Sequence, residues 1–188
     1  MVYNENKELV IRMLKETMIN TERLLIRRVK TDDWKSIRDI FKDAAGSQYA
    51  KYDRPIDSDD RSVCERVSRW ASAGDSWEHV FCAVCLEGKV IGYVAFNIRE
   101  NGYEIGYCFH SDYHGKGYAG ESIRALLDLM KGRGAPLITA GTALENTPSV
   151  RLLESLGFRL TGTEQVTFYK DEEGNDIFFE SGIFELRL

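Results

Sequence analysis

The sequence predicts an α/β fold, with a mixed, mostly antiparallel central sheet of about six to seven strands flanked by about four helices. Three observations carry this reading. Residues 78–86, 89–98 and 103–110 are apolar or alternating runs, and their connections are too short to hold a helix. Elsewhere the period lengthens, as in Ile123, Leu126, Leu127 and Met130, which fall on one helical face. A strand-like run at 137–144 then stands between two helical segments, so hairpin-linked and helix-linked strands share one chain.

Taken in order, residues 5–19 place Leu9, Val10, Met13 and Leu14 on a helical stripe, and 1–20 read as an N-terminal helical extension. The remaining residues, 21–188, read as one domain. Residues 21–30, TERLLIRRVK, form a first strand. Thr31 suits a helix N-cap with Asp32 and Asp33 in the first turn, and Trp34, Ile37 and Phe41 mark the apolar face. Val63, Val67 and Trp70 mark a second helix beginning near 57–60, after a polar loop that carries Tyr49 and Tyr52. Three strands follow, joined at Glu87-Gly88-Lys89 and at Arg99-Glu100-Asn101-Gly102, where Asn-Gly is a strong hairpin signal. The third helix ends at Gly132 and Gly134. Pro148 suits the first turn of a short helix that stops at Gly157, and runs at 158–169 and 176–187 make a final hairpin.

Composition narrows the function. With 188 residues, one core can form without staples. A net charge of −5 and a pI near 5.3 argue against a general nucleic-acid binder, while leaving room for a local basic pocket. The opening residues carry no uninterrupted apolar stretch, so neither a secretory signal nor a membrane span is expected. Cys82 and Cys85 spell C-x-x-C, but in a strand residues three apart point to opposite faces. With Cys64 and Cys108 they read as small core residues, no metal is expected, and the compartment reads as reducing and cytoplasmic.

The chemistry-bearing segment is Tyr113-His114-Gly115-Lys116-Gly117-Tyr118-Ala119-Gly120, between a strand and a helix. Glycines there let backbone N–H groups approach an anion, and the helix start adds partial positive charge, so a phosphate site follows. Gly115-x-Gly117-x-x-Gly120 satisfies the dinucleotide pattern, with Glu145 after the next strand. That pattern, however, places its first glycine at the end of a strand in a parallel array. Here four residues intervene after His110 and the strands upstream are hairpin-linked.

The same residues resemble the GNAT acetyltransferase superfamily, whose Gln/Arg-x-x-Gly-x-Gly/Ala loop is similar to His114-Gly115-Lys116-Gly117-Tyr118-Ala119, with His114 replacing Gln or Arg. Asn146-Thr147-Pro148-Ser149, followed by Gly157-Phe158, resembles the second cofactor motif. The segment Thr21-Glu22-Arg23-Leu24-Leu25-Ile26-Arg27 resembles the first strand, and Glu104-Ile105-Gly106-Tyr107 the fourth. The order of motifs is closest to the branch that acetylates ribosomal-protein N-termini. The resemblance implies acetyl-CoA as co-substrate, held on the backbone of Gly115, Lys116, Gly117, Ala119 and Gly120, with His114 and Tyr118 in the same loop. It implies a pantetheine arm paired with Cys108 and Phe109, where neighbouring strands splay, and a hydrogen bond from Asn146. Asn146 also suits a plain helix cap.

Acetyl transfer to an amine requires a held cofactor, a neutral amine, a stabilised oxyanion and a protonated leaving thiolate; positioning alone supplies about 7–11 kcal/mol. Many family members carry a tyrosine acid four residues before Gly-Phe, where this chain has Leu153. By resemblance Ser149 takes that role, while first-turn capping is its local alternative. Glu104 is the candidate base, with His79, His110 and His114 as chemical rivals and a plain surface carboxylate as its alternative. Tyr49, Tyr52 and Trp77 are expected around the acceptor, across the sheet from the cofactor. The acceptor reading is a protein N-terminal amine, then a polyamine or aminoglycoside. A non-catalytic acyl-CoA-binding module and a dinucleotide oxidoreductase are the rivals, and the assembly is a monomer or homodimer.

Overall fold

The structure is a computed structural model that describes residues 18–72 and 79–188. Eight strands make one sheet: β1 (Met18–Asn20), β2 (Leu25–Arg28), β3 (His79–Leu86), β4 (Lys89–Arg99), β5 (Gly102–Phe109), β6 (Leu137–Ala143), β7 (Arg159–Lys170) and β8 (Asp176–Arg187). Their order is β1-β2-β3-β4-β5-β6-β8-β7. Every neighbouring pair is antiparallel except β5 and β6. The α-helices are α1 (Trp34–Ala45), α2 (Asp60–Ser72), α3 (Tyr118–Gly132) and α4 (Thr147–Ser155). The connection through α3 is what makes β5 and β6 parallel, since a hairpin cannot join strands of one direction.

Two cores lie on opposite faces of the sheet. Ile123, Leu126, Leu127 and Met130 of α3 and Leu153 of α4 pack with Ile105, Val94 and Phe184 on one face. Ile37, Ile40 and Phe41 of α1 pack with Val63 and Val67 of α2 over Ala83 and Cys85 on the other. An aromatic wedge fills the second core: Trp70 stacks on Phe81 at 4.0 Å, and Phe41 meets Trp70 and Tyr93 edge-on. Cys82 and Cys85 fall in different cores, and burial pushes the Cys82 thiol up to about 12. Among the described residues no group of three or more His, Cys, Asp or Glu is arranged to hold a metal. No described helix is long and apolar enough to cross a membrane.

Three details differ from the sequence reading. The expected strand at 21–30 is confined to Leu25–Arg28, because Thr21 closes a turn onto the Leu24 carbonyl through its N–H (2.9 Å) and its hydroxyl (3.3 Å). Met18–Asn20 then pair with β2, so an additional strand, β1, stands where the end of a helix was expected; the rest of that helix lies outside the described residues. Thr31 does not cap α1. Thr31–Asp33 form a short 3-10 turn, and Asp33 turns inward to accept the Lys30 N–H (2.7 Å) and a two-pronged contact from Arg27 (2.8 and 2.7 Å). A half-buried guanidinium available to a carboxylate outcompetes a solvent-facing cap.

Candidate active site

β5 and β6 pair at only two positions, Tyr103 with Ile138 and Glu104 with Thr139. Beyond them the two strands separate, leaving the C-terminal half of β5 with no ladder on that side. Which backbone groups face the opening follows from alternation. The His110 N–H donates to Ile91 at the end of the β4–β5 ladder (3.0 Å), so even-numbered residues of β5 face β4 and odd-numbered ones face the opening. Two side-chain contacts agree, since Thr139 Oγ1 donates to the Tyr103 carbonyl (3.3 Å) and His114 Nε2 meets the Phe109 carbonyl (2.8 Å). The pairing expected of Cys108 is corrected by this register: its N–H and C=O belong to the β4 ladder, opposite Tyr93, and Tyr107 with Phe109 presents backbone to the opening. Burial pushes the Cys108 thiol up to about 12.

At the open end lies the glycine loop. Gly115 and Gly117 take left-handed conformations (φ +70° and +80°), and Gly117 is the N-cap of α3. The N–H groups of Gly115, Lys116, Gly117, Ala119 and Gly120 have no hydrogen-bond partner among the described residues. A Cβ built on Gly115 meets nothing within 4 Å among the described residues. These are five donors on a bare loop at a helix start, the physical requirement for a pyrophosphate. Cations gather around it. Arg23 donates to the Lys116 carbonyl (3.0 Å) and lies 4.7 Å from the Tyr118 ring centroid, while Lys89 and Lys116 both sit near the Tyr113 ring. A chain of net charge −5 thus carries a local basic site.

Arg23 is itself fixed by Glu121, which accepts from its Nε (2.7 Å), its N–H (3.1 Å) and the Thr21 hydroxyl (2.5 Å). Burial acts to raise the Glu121 pKa, but the bonds from Thr21 and Arg23 outweigh it and hold the carboxyl below its ordinary value. His114 is spent on the Phe109 carbonyl, so it ties the loop to the strand end.

Across the opening, Asn146 caps α4 by accepting the Ser149 N–H on Oδ1 (3.4 Å), which leaves its amide NH2 without a partner among the described residues. Ser149 Oγ is 2.8 Å from the Tyr107 hydroxyl. Tyr107 is the residue that the sequence reading passed over. Its signal was its odd position on β5, facing α4, in a chain where Leu153 is buried at the usual place of the acid. Burial raises the Tyr107 pKa and the bond to Ser149 partly offsets this.

Glu104 stands on the opposite face of β5 from Tyr107, at the level of Asn97 on β4, and pairs with Arg99. His79 Nδ1 meets Asn97 Oδ1 at 2.7 Å, so a polar row crosses three strands on that face. Toward the other end of the face, Asp53 and Arg66 bear with opposite sign on Tyr93, and Asp53 and Asp43 bear on Cys108. Asp43 accepts from the Ser111 N–H (2.7 Å) and hydroxyl (2.6 Å), bonds that outweigh its burial and hold it below the ordinary aspartate value. The loop carrying Tyr49 and Tyr52 touches the final hairpin: Tyr52 meets Phe179 edge-on at 5.5 Å, and the Tyr169 hydroxyl donates to Ala50 (3.2 Å). Trp77 lies outside the described residues.

The antiparallel β4–β5 pair upstream of the loop is not the parallel array of a dinucleotide domain, and comparison with known proteins agrees. The family model for the acetyltransferase (GNAT) domain matches residues 23–159. An uncharacterized N-acetyltransferase of Bacillus subtilis, YnaD, is 29% identical over 164 residues, 86% of this chain and 94% of that protein. Another, p20 of Bacillus licheniformis, is 31% identical over 148 residues, 76% of this chain and 82% of that protein. A Salmonella typhimurium acetyltransferase that modifies the N-terminal serine of a 50S ribosomal subunit protein superposes with a TM-score of 0.79 at 14% identity. The match covers 92% of this chain and 99% of that one, a likeness of fold. The chain belongs to the GNAT family, the acetyltransferases that draw their acetyl group from acetyl-CoA.

Proposed function

We propose that the chain transfers acetyl from acetyl-CoA directly to a primary amine in a ternary complex, and that the acceptor is a protein N-terminal amine. The observation that carries the reading is the opening between β5 and β6, with a cradle of free N–H groups flanked by cations at one end and the Glu104 carboxylate on the other face of β5. In it, the backbone of Gly115, Lys116, Gly117, Ala119 and Gly120 holds the pyrophosphate, with Tyr118 and His114 shaping the loop. Tyr107 and Phe109 offer strand-like pairing to the pantetheine arm, and the Asn146 amide donates to it. Acetyl-CoA supplies an acetyl group on a good leaving thiolate.

Ser149 Oγ delivers a proton to that thiolate and is replenished through the hydroxyl of Tyr107, which is what a 2.8 Å hydroxyl pair permits. The proton lost by the attacking ammonium passes to Glu104 through water, on the face from which the acceptor arrives. Tyr49 and Tyr52 flank the entry. Asp53, Glu104 and these aromatic rings favour a cation. The motif order resembling the ribosomal-protein branch, together with the activity of the Salmonella relative in fold, favours a protein N-terminus over a small amine.

Two measurements test this. Acetyl-CoA at a hundred times its Kd adds about 2.7 kcal/mol, which raises Tm by several degrees at this size, while NADH leaves it unchanged. CoA release is then followed with N-terminal peptides, spermidine and an aminoglycoside. Fastest turnover with the peptides supports the acceptor; turnover only with small amines replaces it, and no turnover with any amine refutes transfer.

A further inference from the structure

The central pair β4–β5 contains three glycines, and two of them have an evident structural reason. A Cβ on Gly92 would lie 2.2 Å from the Phe109 ring, and one on Gly102 would lie 2.3 Å from the Leu137 carbonyl oxygen. Neighbours already occupy both places. Gly106 differs. Its φ is not left-handed, it makes no turn, and a Cβ there would meet nothing within 4 Å among the described residues. Neither packing nor backbone conformation asks for glycine at the middle of this strand, where glycine weakens a sheet.

The vacant direction is defined by the register. Gly106 lies opposite Ala95, and both point to the face that carries Glu104 and Cys108. Along that face the neighbouring pairs are Asn97 with Glu104 on one side and Tyr93 with Cys108 on the other. The two smallest side chains therefore make a floor between a polar wall and an aromatic wall. The Glu104 carboxylate, paired with Arg99, stands at the polar wall. Gly106 is half-buried, so the floor is reachable from outside. It also borders the opening, because its neighbours Ile105 and Tyr107 are the residues whose backbone faces the gap.

We infer that the acceptor's amine-bearing carbon crosses the sheet face in contact with the Gly106 backbone, so that Gly106, with Ala95, sets how bulky that carbon can be. The substrate class is a primary amine on a slender carbon, slid against bare strand beside the Glu104 carboxylate. This rests on the acetyltransferase reading above and adds to it a specificity-determining residue that is neither a proton donor nor a cofactor contact.

The test is a pair of variants, Gly106→Ala and Gly106→Val, assayed with acetyl-CoA and the series glycinamide, alaninamide and leucinamide. Acetyl-CoA affinity, measured by calorimetry, is expected within about twofold of the parent, because no loop donor changes. kcat/KM for the amines is expected to fall by roughly tenfold in Gly106→Ala and on the order of a hundredfold in Gly106→Val. The fall is expected to be steepest for leucinamide and least for glycinamide. Gly106→Ala should melt no lower than the parent, since its methyl meets no atom of the described residues, which separates lost function from lost fold. Variants that acetylate all three amines as well as an active parent overturn the inference alone, as does a loss of acetyl-CoA affinity in step with turnover. A parent protein inert toward the whole series overturns the transfer reading, and the inference falls with it.

Discussion

On one face of β5, Tyr103, Ile105 and Phe109 are buried under α3 and α4, and Tyr107 reaches across to Ser149. On the other face stand Glu104, Gly106 and Cys108; Cys108 packs with the core under α1 and α2, and a Cβ on Gly106 would meet nothing within 4 Å among the described residues. On the reading proposed above, the first face serves the cofactor and the second the acceptor. The cofactor side works mainly through backbone: free N–H groups, left-handed glycines and a helix start. On the same reading the acceptor side works through side chains drawn from the loop at 46–57, β4 and β5. A site made of backbone constrains sequence locally and tightly; a site made of side chains from distant segments constrains it loosely.

The largest test of this contrast is Gly117→Val. A β-branched residue at φ +80° costs about 1–2 kcal/mol of conformational strain and brings its Cβ to 3.4 Å from Arg23 Nη2. Stability should fall by several degrees of Tm, and acetyl-CoA binding, read by calorimetry, should vanish. Retained binding would mean that the cradle is not made by backbone after all. An acceptor-side substitution such as those at Gly106 should give the opposite pattern, with binding kept and turnover lost.

Next in size are the hydroxyls. Ser149→Ala and Tyr107→Phe should each lower kcat by about ten- to a hundredfold with little change in the KM for acetyl-CoA, and the double variant should be no worse than Ser149→Ala. Stopped-flow thiol release measures this. Multiplicative losses would show that the two groups act apart and that the 2.8 Å contact is only structural.

How far each part could be read from sequence follows from the same contrast. The meander, the crossover and the final hairpin were visible because turn residues and apolar period are local signals. Met18–Asn20 were not, because a three-residue edge strand exists only through its partner β2. The glycine loop was visible because left-handed backbone needs glycine. Which way the Cys108 backbone faces is not legible in the sequence, because its alternation phase depends on the β4 register, which no spacing within β5 reveals. Tyr107 shows no role in the sequence, since its partner lies forty-two residues away on another element. The pairing of Glu104 with Arg99 likewise appears only once the β4–β5 hairpin has closed.

The smallest predicted effect concerns how the backbone cradle is held in place. Glu121 fixes Arg23, and Arg23 in turn fixes the Lys116 carbonyl. The folded pKa of Glu121 lies below its ordinary 4.5. Its stabilisation is therefore complete above the unfolded value and is lost as pH falls through the lower, folded one. Glu121→Gln should thus melt lower than the parent at pH 7. The difference should narrow only as pH drops below about 4.5. Partly exposed ion pairs contribute about 0.2–1 kcal/mol, so the change at pH 7 should stay within roughly 4 °C. Melting both proteins from pH 3 to 7 decides the matter. A difference that does not vary with pH would assign the contact to packing of neutral groups. A difference that narrows as predicted, accompanied by weaker acetyl-CoA binding in the variant, would show that the cofactor side also depends on one side-chain ion pair to keep its backbone donors aimed.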